Sequence, residues 1–364
     1  MSAQYYHPEM VRFAFVLGIV VSILFYERTQ LTTGGIAAPG YLAFAVFDPL
    51  ILPGVLLAAL ATHGLIHRGL ARVVLMPDAA QFSLLILVSA AIHLALDIVV
   101  VLTTELGPSS QLLRGIGYVV PGLVAHDLAR HGVGRTIASV TGTSAAVAAA
   151  LLAVVVLLPE AGRLRTSPAR ETVALALEYL PALILISLIA WLGLARLHGL
   201  RCGGFLGGAY LTLLVLQPAE LLRYGIAAIA TLLFVRHVLA PWIILFGRRR
   251  FAAHMLVGAL LNWTLVRVAE LQFAADTLSV VTPSLAVLGV LLTGLLSSDM
   301  DSAGVLPTLA GAGLSVGFSL PATLLLLEAV TAQRVAVAAP LLAVVVVGGG
   351  LMATPRDIRR LALV

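Results

Sequence analysis

From residue 10 onward the chain alternates long apolar runs with short polar breaks. The runs fall at roughly 10–26, 32–47, 50–74, 80–103, 113–126 and 136–158. A second series follows at 178–195, 202–216, 219–245, 251–271, 278–296 and 304–326, with a thirteenth at 334–352. Uninterrupted apolar runs of this length predict helices buried in hydrocarbon, and the strict alternation of a membrane β-barrel is absent. The fold class this predicts is all-α: a polytopic helical membrane protein of about twelve to fourteen transmembrane or re-entrant segments. The second and fifth runs are short and carry Pro39-Gly40 and Pro121-Gly122. Such broken helices are tolerated at membrane depth where protein or water covers the loosened backbone. The N-terminal stretch lacks a compact basic region and a small-residue cleavage site, so it reads as a retained first span rather than a signal peptide.

One clearly hydrophilic linker, Pro159 to Thr172, lies near the middle and prompts a search for an internal repeat. Placing Leu31 over Leu200, a displacement of 169, superimposes Gly34, Gly35, Tyr41 and Pro49 on Gly203, Gly204, Tyr210 and Pro218. Phe82 falls on Phe251, and with a small gap Val119 and Pro121 fall on Val281 and Pro283. The organisation expected is a first membrane repeat at 1–158, a linker at 159–172, a diverged second repeat at 173–330 and an extra helix with a basic tail at 331–364. Six-span repeats preserve orientation, so the halves should be parallel copies.

Composition removes whole classes of function. Hydrophobic residues make up 60% of the chain and charged ones 11%, with a mean hydropathy of +1.07, which is too apolar for a soluble domain. The net charge of +5 rests on arginine alone, because the sequence contains no lysine. Those arginines are scattered over short loops, which argues against nucleic acid as a partner. Guanidinium suits carboxylate and phosphate groups, although codon bias explains an arginine-only chain equally well. Counting arginines by loop puts Arg28, Arg130 and Arg248 to Arg250 inside and Arg12, Arg114, Arg223 and Arg267 outside. A single cysteine, Cys202, precludes an internal disulfide or a cysteine-rich metal site. No nucleotide-binding or hydrolase motif occurs, so no cofactor, metal or catalytic residue is assigned to this chain.

Four constellations stand above the apolar background. Glu27-Arg28-Thr29 closes the first span, and as a bare motif it reads as a helix-end pair at headgroup level. Arg114-Gly115-Ile116-Gly117 leads through Pro121-Gly122 to His126-Asp127 and Arg130. Its glycines could bring backbone N–H groups against an anion with Arg114 as counter-charge, or could serve helix packing. Gly247-Arg248-Arg249-Arg250-Phe251 sets three guanidiniums at a helix start, either as an anion site or as a topology anchor. His93 and Asp97 share one helical face inside the membrane, as a proton or cation contact or as a self-satisfied pair.

The first half resembles the small membrane subunit of poly-γ-glutamate synthase, the PgsC/CapC capsule biosynthesis family. The resemblance rests on LGIVVSILFYERT from Leu17, on PGYLAF from Pro39 through Gly40 and Tyr41, and on RGIGYVVPGL from Arg114 with the following RHG. The family's GRRKF-like motif is missing from the first half, where Pro77 to Phe82 stands instead, and GRRRF appears in the second half at Gly247 to Phe251. This suggests a fused duplicate whose halves degenerated in complementary ways, with Glu27, Arg28 and Arg114 from one half and the arginine cluster from the other forming one site. The resemblance implies an integral subunit of the plasma membrane that is not catalytic by itself. It implies a Mur-ligase-like, ATP-dependent amide ligase as partner, which would hold the ATP and Mg2+, together with a membrane-anchored accessory subunit. It also implies poly-γ-glutamate or a related polyanion as cargo. A secondary transporter for a small anionic solute is the alternative the sequence leaves open.

Overall fold

A computed structural model describes residues 8–46, 51–69, 78–103, 117–157, 180–197, 204–215, 218–272 and 283–331. The predicted linker at 159–172, the thirteenth apolar run, Arg114 and Gly115 lie outside these residues. Among the described residues the chain is helical and contains no strand. The first six helices are α1 (Pro8–Thr29), α2 (Ala38–Leu42), α3 (Ile51–His63), α4 (Asp78–Thr103), α5 (Val120–His131) and α6 (Val133–Leu157). The second six are α7 (Leu180–Leu197), α8 (Gly204–Val215), α9 (Pro218–Phe234), α10 (Gly247–Gln272), α11 (Pro283–Ala303) and α12 (Val305–Thr331).

Among the described residues five helices are long and apolar enough to cross a membrane, with spans at Glu9–Thr29, Val133–Val154, Glu220–Leu239, Gly247–Val268 and Val305–Thr323. Among the described residues the second and fifth apolar runs do not form full-length helices. After α1, residues 30–37 turn through a loop, and α2 continues only as a 3-10 turn over Ala43–Val46. The 12 residues of α5 reach about 18 Å, well short of a hydrocarbon core of about 30 Å. Pro39 and Pro121 each sit in the first turn of their helix, where a missing N–H costs no hydrogen bond.

The packing partners run in the same order in both sets of six. In the first set α1 packs on α2 and α6, α2 on α6, and α3, α4 and α5 on one another. In the second, α7 packs on α8 and α12, α8 on α12, and α9, α10 and α11 on one another. A π-helical turn ends both α3, at Gly64–Gly69, and α9, at Val235–Leu239. Gly132 (φ 84°) and Gly304 (φ 96°) separate the last two helices of each set. The register of α5 against α11 differs from the one the sequence suggested. Gly122 presses on Ile86 of α4, and Gly294 presses on Met255 of α10, so Gly122 corresponds to Gly294 and Pro121 to Thr293, not to Pro283. At this displacement of 172, Asp127 falls on Asp299 and Thr136 on Thr308. The two sets meet where α1 packs on α10 and α11, and where α4 packs on α7.

Candidate functional site

The loop after α1 is built to be rigid. Gln30 (φ 58°) leaves the helix in the left-handed region, and Gly34 (φ 74°) and Gly35 (φ 98°) continue the turn. A Cβ on Gly34 would stand 2.6 Å from Val124, so neither the backbone nor the space admits a side chain. Three elements pin the loop. Ser22 of α1 shares a hydrogen bond with Thr33 (2.7 Å), Ser139 Oγ of α6 donates to the Thr32 carbonyl (2.8 Å), and Gly34 N–H donates to Asp127 Oδ2 of α5 (2.8 Å). Asp127 is buried, and this charge-assisted bond gives it a structural use.

The two motifs that the halves divide between them meet at this end. Arg249, at the start of α10, grips Glu27, at the end of α1, in a bidentate fork with Nε 2.6 Å from Oε1 and Nη2 on Oε2. Arg248 lies over the Tyr26 ring at 4.6 Å. Arg250 turns away to Asp301 at the end of α11, with Nη2–Oδ1 at 2.7 Å. Asp301 also accepts from His254 (3.0 Å), whose other ring nitrogen meets Ser297 at 2.7 Å. The three arginines therefore have different employment: one pairs across the halves, one stacks, and one locks α10 to α11.

Beside this pair lies a cavity of about 340 Å³ lined by both halves. Asp127, Arg130 and Arg248 give it charge at the helix ends, and Met255, Leu291 and Leu295 give it an apolar inner wall. The lining contains matched positions: Ala37 and Leu206, Phe82 and Phe251, Val119 and Leu291, Leu123 and Leu295 stand 169 or 172 residues apart. The polar lining is one-sided, because Ala79, Ser298 and Ser302 stand where Arg248, His126 and Arg130 have their counterparts. Such a cavity can accept a carboxylate at its mouth and a methylene chain against its wall.

The remaining predicted residues take other places. Arg28 and Thr29 are exposed; the Thr29 hydroxyl donates to the Phe25 carbonyl one turn back in the same helix (2.8 Å). Pro39, Gly40 and Tyr41 are buried, with Gly40 against Ala14 and Phe15 of α1. Gly117 leaves room for the Tyr41 hydroxyl and faces His93 Nε2, and His93 meets Tyr118 edge-on at 5.4 Å. Gly122 seats α5 on α4. The Asp97 side chain lies outside the described residues, so its pairing with His93 does too. Asp301 and the His254–Ser297 link were not singled out from the sequence; Asp127 stood in the second constellation, but its use as acceptor for the Gly34 N–H was not foreseen. The acidic run around Asp299 and Asp301 in an otherwise apolar stretch was the available signal.

This architecture is that of an all-α, multi-pass membrane protein. The family model described as Capsule biosynthesis CapC matches residues 17–137 and again 174–309, and the chain belongs to that family. It is 28% identical over 127 residues to the PGA biosynthesis protein CapC of Bacillus subtilis (strain 168), covering 35% of this chain and 83% of that protein. It is 31% identical over 125 residues to the capsule biosynthesis protein CapC of Bacillus anthracis, covering 34% of this chain and 81% of the relative. No solved structure matches.

Proposed function

We propose that the chain is a tandem-duplicated membrane subunit for the synthesis and export of a capsule-type anionic polyamide, poly-γ-glutamate or a close relative. In this reading it holds an ATP-dependent, Mur-ligase-like amide ligase at its arginine-rich end, with a membrane-anchored accessory subunit beside it. The ligase, with its ATP and Mg2+, makes the amide bond, and the present chain guides the product outward across the plasma membrane. The observation that carries the reading is the Glu27–Arg249 pair beside a cavity to which both halves contribute. The two family-model matches, the recurring helix pairings and the matched lining positions support duplication. Relatives named for PGA and capsule biosynthesis support the polymer.

The charge arrangement suits a sliding polyanion. Each repeat unit brings one carboxylate, and a free guanidinium fork would hold it too well for onward movement. Glu27 already occupies Arg249, and Asp127 lies close enough to Arg248 to act on it electrostatically. An incoming carboxylate therefore exchanges with a resident one instead of filling an empty site, which keeps binding weak and repeated.

Affinity purification of the chain from gently solubilised membranes tests this directly. The expected partner is a ligase that hydrolyses ATP in a glutamate-dependent manner; its absence from otherwise intact preparations would refute the reading. The cavity's volume, near the low end for small-molecule sites, is the one observation that favours a small-anion transporter. Uptake of labelled glutamate by liposomes containing the chain alone would decide for that alternative.

A further inference from the structure

The packing between the two sets of helices survives their exchange. Where the halves meet, α1 packs on α10, and α7, which corresponds to α1, packs on α4, which corresponds to α10. A translation would send the second of these contacts to a further copy, whereas a two-fold relation returns both within one chain. Close approaches fix the register on each side. Gly18 of α1 lies against Gly40 of α2, and Ser187 of α7, 169 residues after Gly18, lies against Gly208 of α8. Phe82 of α4 and Phe251 of α10, also 169 apart, both line the cavity. A space that receives both members of a matched pair lies at such an axis, and this cavity receives four pairs.

Glu27 and Arg249 mark a corner beside the cavity, where the end of α1 meets the start of α10. At the same register, position 196 near the end of α7 and position 80 at the start of α4 hold the matching places. Three pairs build the first corner: Glu27 with Arg249, Tyr26 with Arg248, and Asp301 with Arg250. At the matching positions both members of every pair differ. Arg196 and Ala80 replace the first pair, Ala195 and Ala79 the second, and Ala129 and Gln81 the third. A charge left behind without its partner is costly, so members of a working unit change together. The three pairs differ as one set, which identifies the corner as such a unit.

We propose that an approximate two-fold axis runs through the cavity between the halves, and that the end of α7 with the start of α4 forms a second corner opposite Glu27–Arg249. This second corner shares the backbone geometry of the first and lacks its three side-chain pairs. A cavity framed for two anion-binding corners therefore carries the acid–guanidinium fork at one of them, and a single chain completes that fork without a second copy. The inference rests on the duplication in the reading above and needs neither the ligase nor the polymer.

Cysteine pairs in the full chain, in a Cys202→Ser background, test this in native membranes with a short bismaleimide. Glu27→Cys with Arg249→Cys, and Arg196→Cys with Ala80→Cys, should both link in the monomer band in comparable yield, with the joined peptides identified by mass spectrometry. The pairings within one half, Glu27→Cys with Ala80→Cys and Arg196→Cys with Arg249→Cys, should link far less. A chain that links positions 27 and 249 but not 196 and 80 overturns the proposal, as do equal yields from the pairings within one half. A link between 196 and 80 confined to a dimer band assigns the contact to a neighbouring chain and also overturns it. Should a cysteine pair fail to fold, benzoylphenylalanine at position 196 takes its place; photo-adducts at the start of α4 support the second corner, and adducts confined to other elements overturn it. Because no ligand is used, failure of a ligase to co-purify leaves the result standing. A ligase that co-purifies with a chain whose positions 196 and 80 stay unlinked keeps the synthase reading and removes this one.

Discussion

Asp127→Ala should loosen the loop that shapes the cavity. In the parent, the buried Gly34 N–H gives its hydrogen to Asp127 Oδ2 at 2.8 Å. Alanine leaves that donor without an acceptor, a loss of about 1.5–3 kcal/mol for a bond to a charged group. The other two ties, Ser22–Thr33 and Ser139–Thr32, persist, so the effect is local opening and not global unfolding. Hydrogen exchange across residues 30–37, followed by mass spectrometry in nanodiscs, should accelerate about ten- to a hundredfold. Asp127→Asn keeps a carbonyl acceptor and loses only the charge, so its exchange should rise by less, about fivefold. Unchanged exchange in Asp127→Ala, or equal exchange in the two variants, would refute the claim that this carboxylate anchors the loop.

Other perturbations address neighbouring contacts. Gly34→Ala forces a side chain into a left-handed backbone and against Val124, at about 1–2 kcal/mol for the backbone alone; thermal inactivation should come earlier, with partial rescue by Val124→Ala. Glu27→Arg and Arg249→Glu should each depress polymer output in cells, and the double exchange should restore part of it if the fork across the halves is what matters. Arg248→Ala should weaken oligomer binding and flatten its salt dependence, and Arg248→Lys should not restore it, because the planar group that stacks on Tyr26 is lost.

The sequence showed the helical class because apolar runs long enough for a bilayer have few alternative folds. It also showed where the backbone breaks, since Gly34-Gly35 and Pro39-Gly40 carry their own conformational demands. Setting Glu27 against the arginine cluster followed from the complementary loss of motifs in the two halves, and the structure brings Glu27 and Arg249 into contact. The register of the last two helices was hidden, because in a background of Leu, Val and Ala a proline match at Pro283 looked better than the correspondence through Gly294. Only the close approach of Gly294 to α10 identifies it. Arg250 could not be separated from its neighbours by sequence, since its partner Asp301 is 51 residues away. Arg12 and Arg267 entered the sequence reading only as loop charges, and the structure brings both of them to Glu9.

If both halves build one site for the polyanion, a bound oligomer must touch both. A γ-linked glutamate oligomer bearing a photoreactive group at one end, cross-linked to the purified chain and mapped by mass spectrometry, addresses it most directly. Adducts are expected both in the first half, between Thr32 and Ala38 or between Leu123 and Arg130, and in the second, between Arg248 and Met255. Those adducts should be competed away by excess unlabelled oligomer. Adducts confined to one half, or labelling that unlabelled oligomer does not reduce, would contradict it.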